Sequence, residues 1–208
     1  MTPDRIETDT ASLGPAVYPL LNACVVPRPI AWVSTRSRAG VDNLAPHSYF
    51  TVSSVVPPVV QFTSIGDKDS LRNCRETGEF VVCVATEALA AQVNTTGTDY
   101  PPTESEYDAA GLTREPSRLV APPRVAESPV ALECRVVGER SFGGSTVVFG
   151  EVVHVAVSRW VADERGRPDL ALLRPVSRLG ADDWGAMGRV FVQRRVPFSV
   201  AAPPYRPE

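Results

Sequence analysis

Apolar residues in this chain fall mostly into runs of strand length, punctuated by proline and glycine. Ile30–Thr35 reads IAWVST, β-branched and aromatic, and Arg36–Asp42 behind it carries Ala39-Gly40 as a turn. Ser48–Val56 and Val59–Ile65 read as neighbouring strands joined at the Pro57-Pro58 corner, the second setting Gln61 and Thr63 against Phe62. Phe80–Ala85, FVVCVA, predicts a buried strand. Val130–Val137 and Thr146–Val157 predict two more around Gly143-Gly144, and 189–196 (RVFVQRRV) is a final strand-like run. Helical patterns are short. Lys68–Thr77 has Asp69 or Ser70 as N-cap and Gly78 as stop; Glu87–Val93 follows; Ser105–Ala110 allows one or two turns ending at Gly111. Residues 94–129 are otherwise loop-rich. Six or seven sequential strands without long helices between them predict an antiparallel sheet closing into a barrel.

Composition sharpens this picture. The 208 residues suit one domain, expected over 18–200 behind a flexible leader at 1–17. The 20 prolines form no repeating tract, so they mark strand ends and loop corners. A net charge of −3, without a basic excess, points away from a nucleic-acid partner. No run approaches the length of a membrane span, and Met1–Leu13 lacks the basic and apolar regions of a signal peptide, so no membrane association and a cytoplasmic address are expected. The four cysteines form no CxxC, and Cys83 and Cys134 lie in apolar runs, which argues against a disulfide framework. Two histidines leave little for zinc, and no metal is expected.

Several chemistries are excluded by missing motifs: there is no GxGxxG, no GxxxxGK[ST] and no GxSxG. Two local features remain. At Ser64–Ser70 (SIGDKDS) a strand ends, glycine turns, and a helix opens beside Lys68. Unpaired N–H groups at a helix start favour a phosphate, and Ser64, Lys68 and Ser70 add donors; the same spacing also suits an ordinary helix cap with a solvated lysine. At Asn43–Phe50 (NLAPHSYF) small and polar residues alternate with aromatics. Such a stretch can hydrogen-bond the edge of a flat ring such as an isoalloxazine and cover its faces, and it also suits a plain loop entering a strand.

Together the segments PRPIAWVST (27–35), NLAPHSYFTVSSVVPPVV (43–60), KDSLRNCRETGEFVV (68–82), SEYDAAGLT (105–113), PRVAESPVALEC (123–134), GEVVHVAV (150–157) and PVSRLG (175–180) resemble the flavin-reductase-like, FMN-binding split-barrel family in order and spacing. The resemblance covers roughly residues 18–197. It implies a six-stranded antiparallel split β-barrel with helical insertions, usually a homodimer with FMN near the subunit interface. By resemblance, Asn43, Ala45, Ser48, Tyr49 and Phe50 line the isoalloxazine and ribityl chain; Pro46 and His47 belong to the same cofactor-binding stretch, His47 orienting the loop. Ser64, Lys68, Asp69 and Ser70 surround the phosphate, Asn94 and Thr95 close over it, and His154 stands near the nicotinamide as the catalytic candidate. Three departures stand out: Ala156 where many relatives have a second histidine, Cys83 where many have asparagine, and Trp184 where a tyrosine is common.

The activity implied is an NAD(P)H-dependent flavin reductase, with FMN (or FAD) as flavin and NAD(P)H as co-substrate. Hydride passes from nicotinamide C4 to flavin N5, and reduced flavin goes to an acceptor such as a partner flavin-dependent monooxygenase. An FMN-dependent tailoring oxidase or electron-transfer flavoprotein, and a flavin-binding module without turnover, stand as alternatives.

Overall fold

The structure, a computed structural model, describes residues 4–195. Its frame is a seven-stranded sheet of β1 (Ala31–Arg36), β2 (Asp42–His47), β3 (Phe50–Ser54), β4 (Val59–Ile65), β5 (Glu79–Val84), β6 (Val130–Phe142) and β7 (Ser145–Val157). The order across it is β2-β1-β5-β6-β7-β4-β3, and every neighbouring pair is antiparallel. Short helices α1 (Val17–Cys24), α2 (Asp69–Thr77), α3 (Ala90–Thr95), α4 (Glu106–Ala109) and α5 (Leu170–Leu173) decorate it. The sheet curls until His47, ending β2, reaches Thr63 on β4, its Nδ1 3.2 Å from the Thr63 carbonyl. Just beyond, the Thr63 N–H donates to the Tyr49 carbonyl at 2.9 Å. An antiparallel sheet curled to a seam in this way is a split barrel, the fold class expected from the sequence.

Side chains alternate across a strand, so burial on both faces explains the unbroken apolar run of β5. Phe80 and Val82 pack inward with Val33, Phe62, Leu71, Cys134 and Val148. Val81 and Cys83 pack outward with Trp32, Leu44, Val93, Tyr107 and Val125, beneath α3, α4 and the loop that follows. Phe62 and Phe80 meet edge to face, centroids 5.3 Å apart. All four cysteines are free. Burial pushes the Cys74 and Cys83 thiols up to about 12, so Cys83 is a packing residue and not a redox thiol.

Three features differ from the sequence expectation. The main sheet has seven strands where the resemblance implied six, because Asp42–His47 forms an edge strand of its own; β3 is correspondingly shorter than Ser48–Val56. Two small sheets of two-residue strands stand beside it, Arg28–Pro29 with Ser177–Arg178 and Trp184–Gly185, and Arg114–Glu115 with Arg124–Val125. Residues 17–24 form a helix that the sequence pattern did not assign. The strand-like run at 189–196 is no strand over 189–195, where Val190, Phe191 and Val192 are exposed; Val196 lies outside the described residues.

β7 bends at register shifts after Phe149 and after Val152. Gly150 stands at the first, and a Cβ there would overlap the Phe80 ring and lie 3.1 Å from the Cys134 Cβ. Gly150→Ala should therefore destabilise the fold by about 1–3 kcal/mol, the usual cost of overpacking a core. A urea unfolding midpoint unchanged from wild type would contradict this packing.

Candidate functional site: a cleft at the barrel seam

A cleft of about 270 Å³ opens beside the seam. One wall is the end of β2 and the turn after it: Asn43, Ala45, Pro46, His47, Ser48 and Tyr49. β2 is an edge strand, pairing only with β1, which is why it tolerates Pro46. Lys68, Asp69 and Ser70 form a second wall at the start of α2, and residues 96–100 cross as a strap. Trp32 pins the strap from inside the core: its Nε1–H donates to Thr96 Oγ1 at 2.8 Å, and Thr96 donates to the Val93 carbonyl at 3.0 Å. Gly97 lets the strap approach β2, since a Cβ there would sit 3.2 Å from the Asn94 carbonyl and 3.5 Å from Pro46.

The electrostatics differ from wall to wall. Gly66, at φ 78°, turns the chain into α2. Lys68 is the extended N-cap residue and its side chain caps nothing, so the first N–H groups of α2 have no side-chain cap. Lys68 is also the only lysine in the sequence. Its ammonium bridges to Asp99 of the strap at 2.5 Å, both side chains largely exposed, a pairing worth little in water and readily exchanged. Asp69 pairs with Arg72. Deeper in, the Asn43 amide donates to Glu106 Oε1 at 3.1 Å, and its oxygen accepts from the Ser70 hydroxyl at 3.1 Å. Glu106 Oε2 accepts the Leu44 N–H at 2.9 Å. Burial raises the Glu106 pKa, and the Leu44 N–H opposes it. Burial also lowers the His47 pKa to about 4, against the Thr63 hydrogen bond. The ring is therefore neutral near pH 7, with its proton on Nδ1 facing the Thr63 carbonyl; Nε2 is shielded and unpaired.

A second cavity of about 500 Å³ continues the cleft, sharing Ser48, Tyr49 and Thr63 with it. Leu21, Val25, Pro27, Pro29 and Phe50 make it mostly apolar. Arg28 fastens its rim, donating to the Asn22, Val25 and Leu179 carbonyls at 2.5, 2.9 and 2.7 Å. Tyr49, under the guanidinium, donates to Asn22 Oδ1 at 2.7 Å. The joined cavities thus offer anion-binding groups at one end and a low, apolar slot at the other.

The candidates from the sequence distribute unevenly. Asn43, Ala45, Pro46, His47, Ser48, Tyr49, Lys68, Asp69 and Ser70 meet on the cleft, and Phe50 lines only the apolar slot. Ser64 is buried, its hydroxyl donating to the Gly66 carbonyl at 3.1 Å, and shapes the turn instead of lining the space. Asn94 and Thr95 end α3 just short of the lining, and Thr95 turns back to the Ala91 carbonyl. His154 lines none of these cavities: it is half-buried on β7, opposite Glu133, past the second register shift. Sequence reasoning missed the strap residues Thr96–Tyr100, and Glu106, whose SEYDAAGLT segment was conspicuous but carried no role.

Comparison with known proteins agrees with this architecture. Residues 23–174 match the family described as flavin reductase like domain. An uncharacterized protein of Halalkalibacterium halodurans is 41% identical over 186 residues, covering 84% of this chain and 88% of that protein. Nitrilotriacetate monooxygenase component B from Bacillus cereus superposes with a TM-score of 0.87 at 30% identity, over 92% of this chain and 100% of that one. The 2-nitrobenzoate 2-nitroreductase of Pseudomonas fluorescens superposes equally well, TM-score 0.87 at 29% identity, over 95% and 100%.

His47 links the seam to pH. The unfolded ring takes up a proton below about 6.5, whereas the folded ring refuses it until about 4, so stability falls as pH drops through that window, by up to about 3 kcal/mol for this group. His47→Gln should be less stable than wild type near pH 7 yet lose less on acidification. Urea midpoints near pH 7 and near pH 4 check it; equal losses in the two proteins would contradict the assignment.

Proposed function

From the premise that this chain belongs to the flavin reductase like family, we propose that it is an NAD(P)H:flavin oxidoreductase that binds FMN along the two joined cavities. The observation that carries this is the pairing of the uncapped start of α2, beside Lys68, with an apolar slot that opens from the same cleft. The residues present fit a flavin mononucleotide. First-turn N–H groups and Lys68 hold the phosphate ester, Lys68 exchanging Asp99 for it. Ser48, Tyr49 and the β2 backbone offer hydrogen bonds to the polar edge of a flat ring, and Phe50, Pro27 and Pro29 give it apolar surroundings.

The chemistry supplied by a bound flavin is hydride acceptance at N5 from nicotinamide C4 and onward delivery of the electrons to an acceptor. The protein's part is to orient and to exclude water. His47, neutral and fixed by Thr63, keeps the seam closed without adding a charge beside the ring. Arg28 and Tyr49 hold the rim of the slot in one arrangement. The exposed apolar residues Leu21, Val25 and Val26 are covered by a second copy of the chain, which works as a homodimer. Likeness to component B of a monooxygenase supports delivery of reduced flavin to a partner monooxygenase. The equal likeness to a nitroreductase favours a second reading, in which a small organic acceptor is reduced in the cleft itself.

Purified protein mixed with FMN should bind it, and anaerobic NADH or NADPH should bleach the visible flavin band. A yellow complex that neither nucleotide bleaches leaves a flavin carrier without nicotinamide turnover; failure to bind FMN sinks the proposal. Lys68→Met should weaken FMN about tenfold, the loss of one charge-assisted contact, and leave riboflavin, which lacks the phosphate, unchanged. Equilibrium dialysis of both ligands reads the difference.

A further inference from the structure

Three carboxylates line the cleft, and two are neutralised: Asp69 by Arg72 and Asp99 by Lys68. Glu106 has no ion-pair partner among the described residues and is only 5% exposed. It heads a chain of three groups, carboxylate, amide and hydroxyl, running from Glu106 through Asn43 to Ser70 in the first turn of α2. The heavy atoms of this chain accept either of two proton arrangements. With Glu106 ionised, the Asn43 amide donates to the carboxylate and the Ser70 hydroxyl donates to the Asn43 oxygen at 3.1 Å. Ser70 then shows an arriving ligand only lone pairs. With Glu106 protonated, its O–H donates to the Asn43 oxygen. The amide turns its donors to Ser70 Oγ at 3.1 Å and Thr35 Oγ1 at 3.3 Å, and the Ser70 proton is released toward the cleft. An anion needs the second arrangement, because it accepts hydrogen bonds and donates none.

We infer that Glu106 is a positioning residue that sets the direction of the Ser70 hydroxyl, so that a phosphate ester enters the cleft together with a proton on Glu106. The inference rests on the FMN reading above and deepens it. Burial of Glu106 already favours its neutral form, and an incoming phosphate adds a like charge that favours it further.

The other titratable groups around the cleft do not duplicate this role. On β2, His47 is neutral down to about pH 4. On α2, Lys68 and Asp69 are paired, as is Asp99 on the strap. Burial holds the Tyr49 phenol above its ordinary pKa. Behind α4, Asp108 and Asp42 both pair with Arg114, and Asp42 also with Arg36.

The test is calorimetry of FMN binding near pH 7 in buffers of different ionisation enthalpy, on wild type, Glu106→Gln and Ser70→Ala. Gln keeps the acceptor for Leu44 N–H and presents a permanent donor to Asn43, imitating the protonated state. Wild type should take up more protons per FMN than either variant, and its FMN affinity should fall as pH rises, by at most about tenfold per unit. Glu106→Gln should show a flatter profile and, at high pH, bind FMN at least as tightly as wild type. Riboflavin should show no excess uptake in any of the three proteins. Equal uptake in wild type and Glu106→Gln overturns the inference while leaving FMN binding intact. Undiminished uptake in Ser70→Ala overturns it even if the Gln protein fails to fold. FMN binding to none of the proteins overturns the FMN reading and this inference with it.

Discussion

The hydrogen bond between the His47 ring and the Thr63 carbonyl joins the end of β2 to β4, two strands that share no ladder. Where a ladder would have sealed the barrel, a side chain does, and the space beside it becomes the cleft. The same contact fixes the turn at Ser48-Tyr49, which serves both cavities. A carbonyl acceptor demands a donor, so the ring must carry its proton on Nδ1; burial against Phe62, centroids 4.7 Å apart, then keeps the second nitrogen unprotonated.

Around the seam, polar groups are buried at a cost that a purely structural barrel would avoid. Asn43, Thr35, Ser70, Asn73 and Glu106 lie together beneath the cleft with little solvent exposure. Each finds a partner within the group: Asn73 donates to Thr35 at 3.0 Å, Asn43 donates to Glu106 at 3.1 Å, and Ser70 donates to Asn43 at 3.1 Å. Apolar side chains of like volume would pack there with no desolvation penalty. Their placement under the start of α2, where backbone donors are left uncapped, makes sense if the region is shaped for a polar ligand and not for maximal stability.

Legibility in the sequence followed physical cause. β5 was plain as FVVCVA because both its faces are buried, and α2 was plain because Gly78 takes the left-handed conformation, φ 73°, on which a helix end depends. The lysine turn and NLAPHSYF stood out because phosphate donors and ring-covering residues have compositional signatures. β2 was hidden because its proline and short polar residues read as a loop, a disguise open only to an edge strand. The strap was hidden for another reason. Thr96–Tyr100 has no periodicity, and its position comes from the Trp32 indole 64 residues away in the chain. His154 shows the converse: a histidine in an expected strand motif stands past a β-bulge, and register is not visible in spacing.

The lysine of the cleft has no counterpart elsewhere in the chain, since every other fixed basic side chain is an arginine. Guanidinium groups resist acylation and stay charged, whereas an ammonium half-exposed at a cleft mouth remains open to reaction through its free amine. The molecule therefore carries a built-in chemoselective address. A reagent that modifies lysine side chains has one place to go, and that place is the mouth of the cleft.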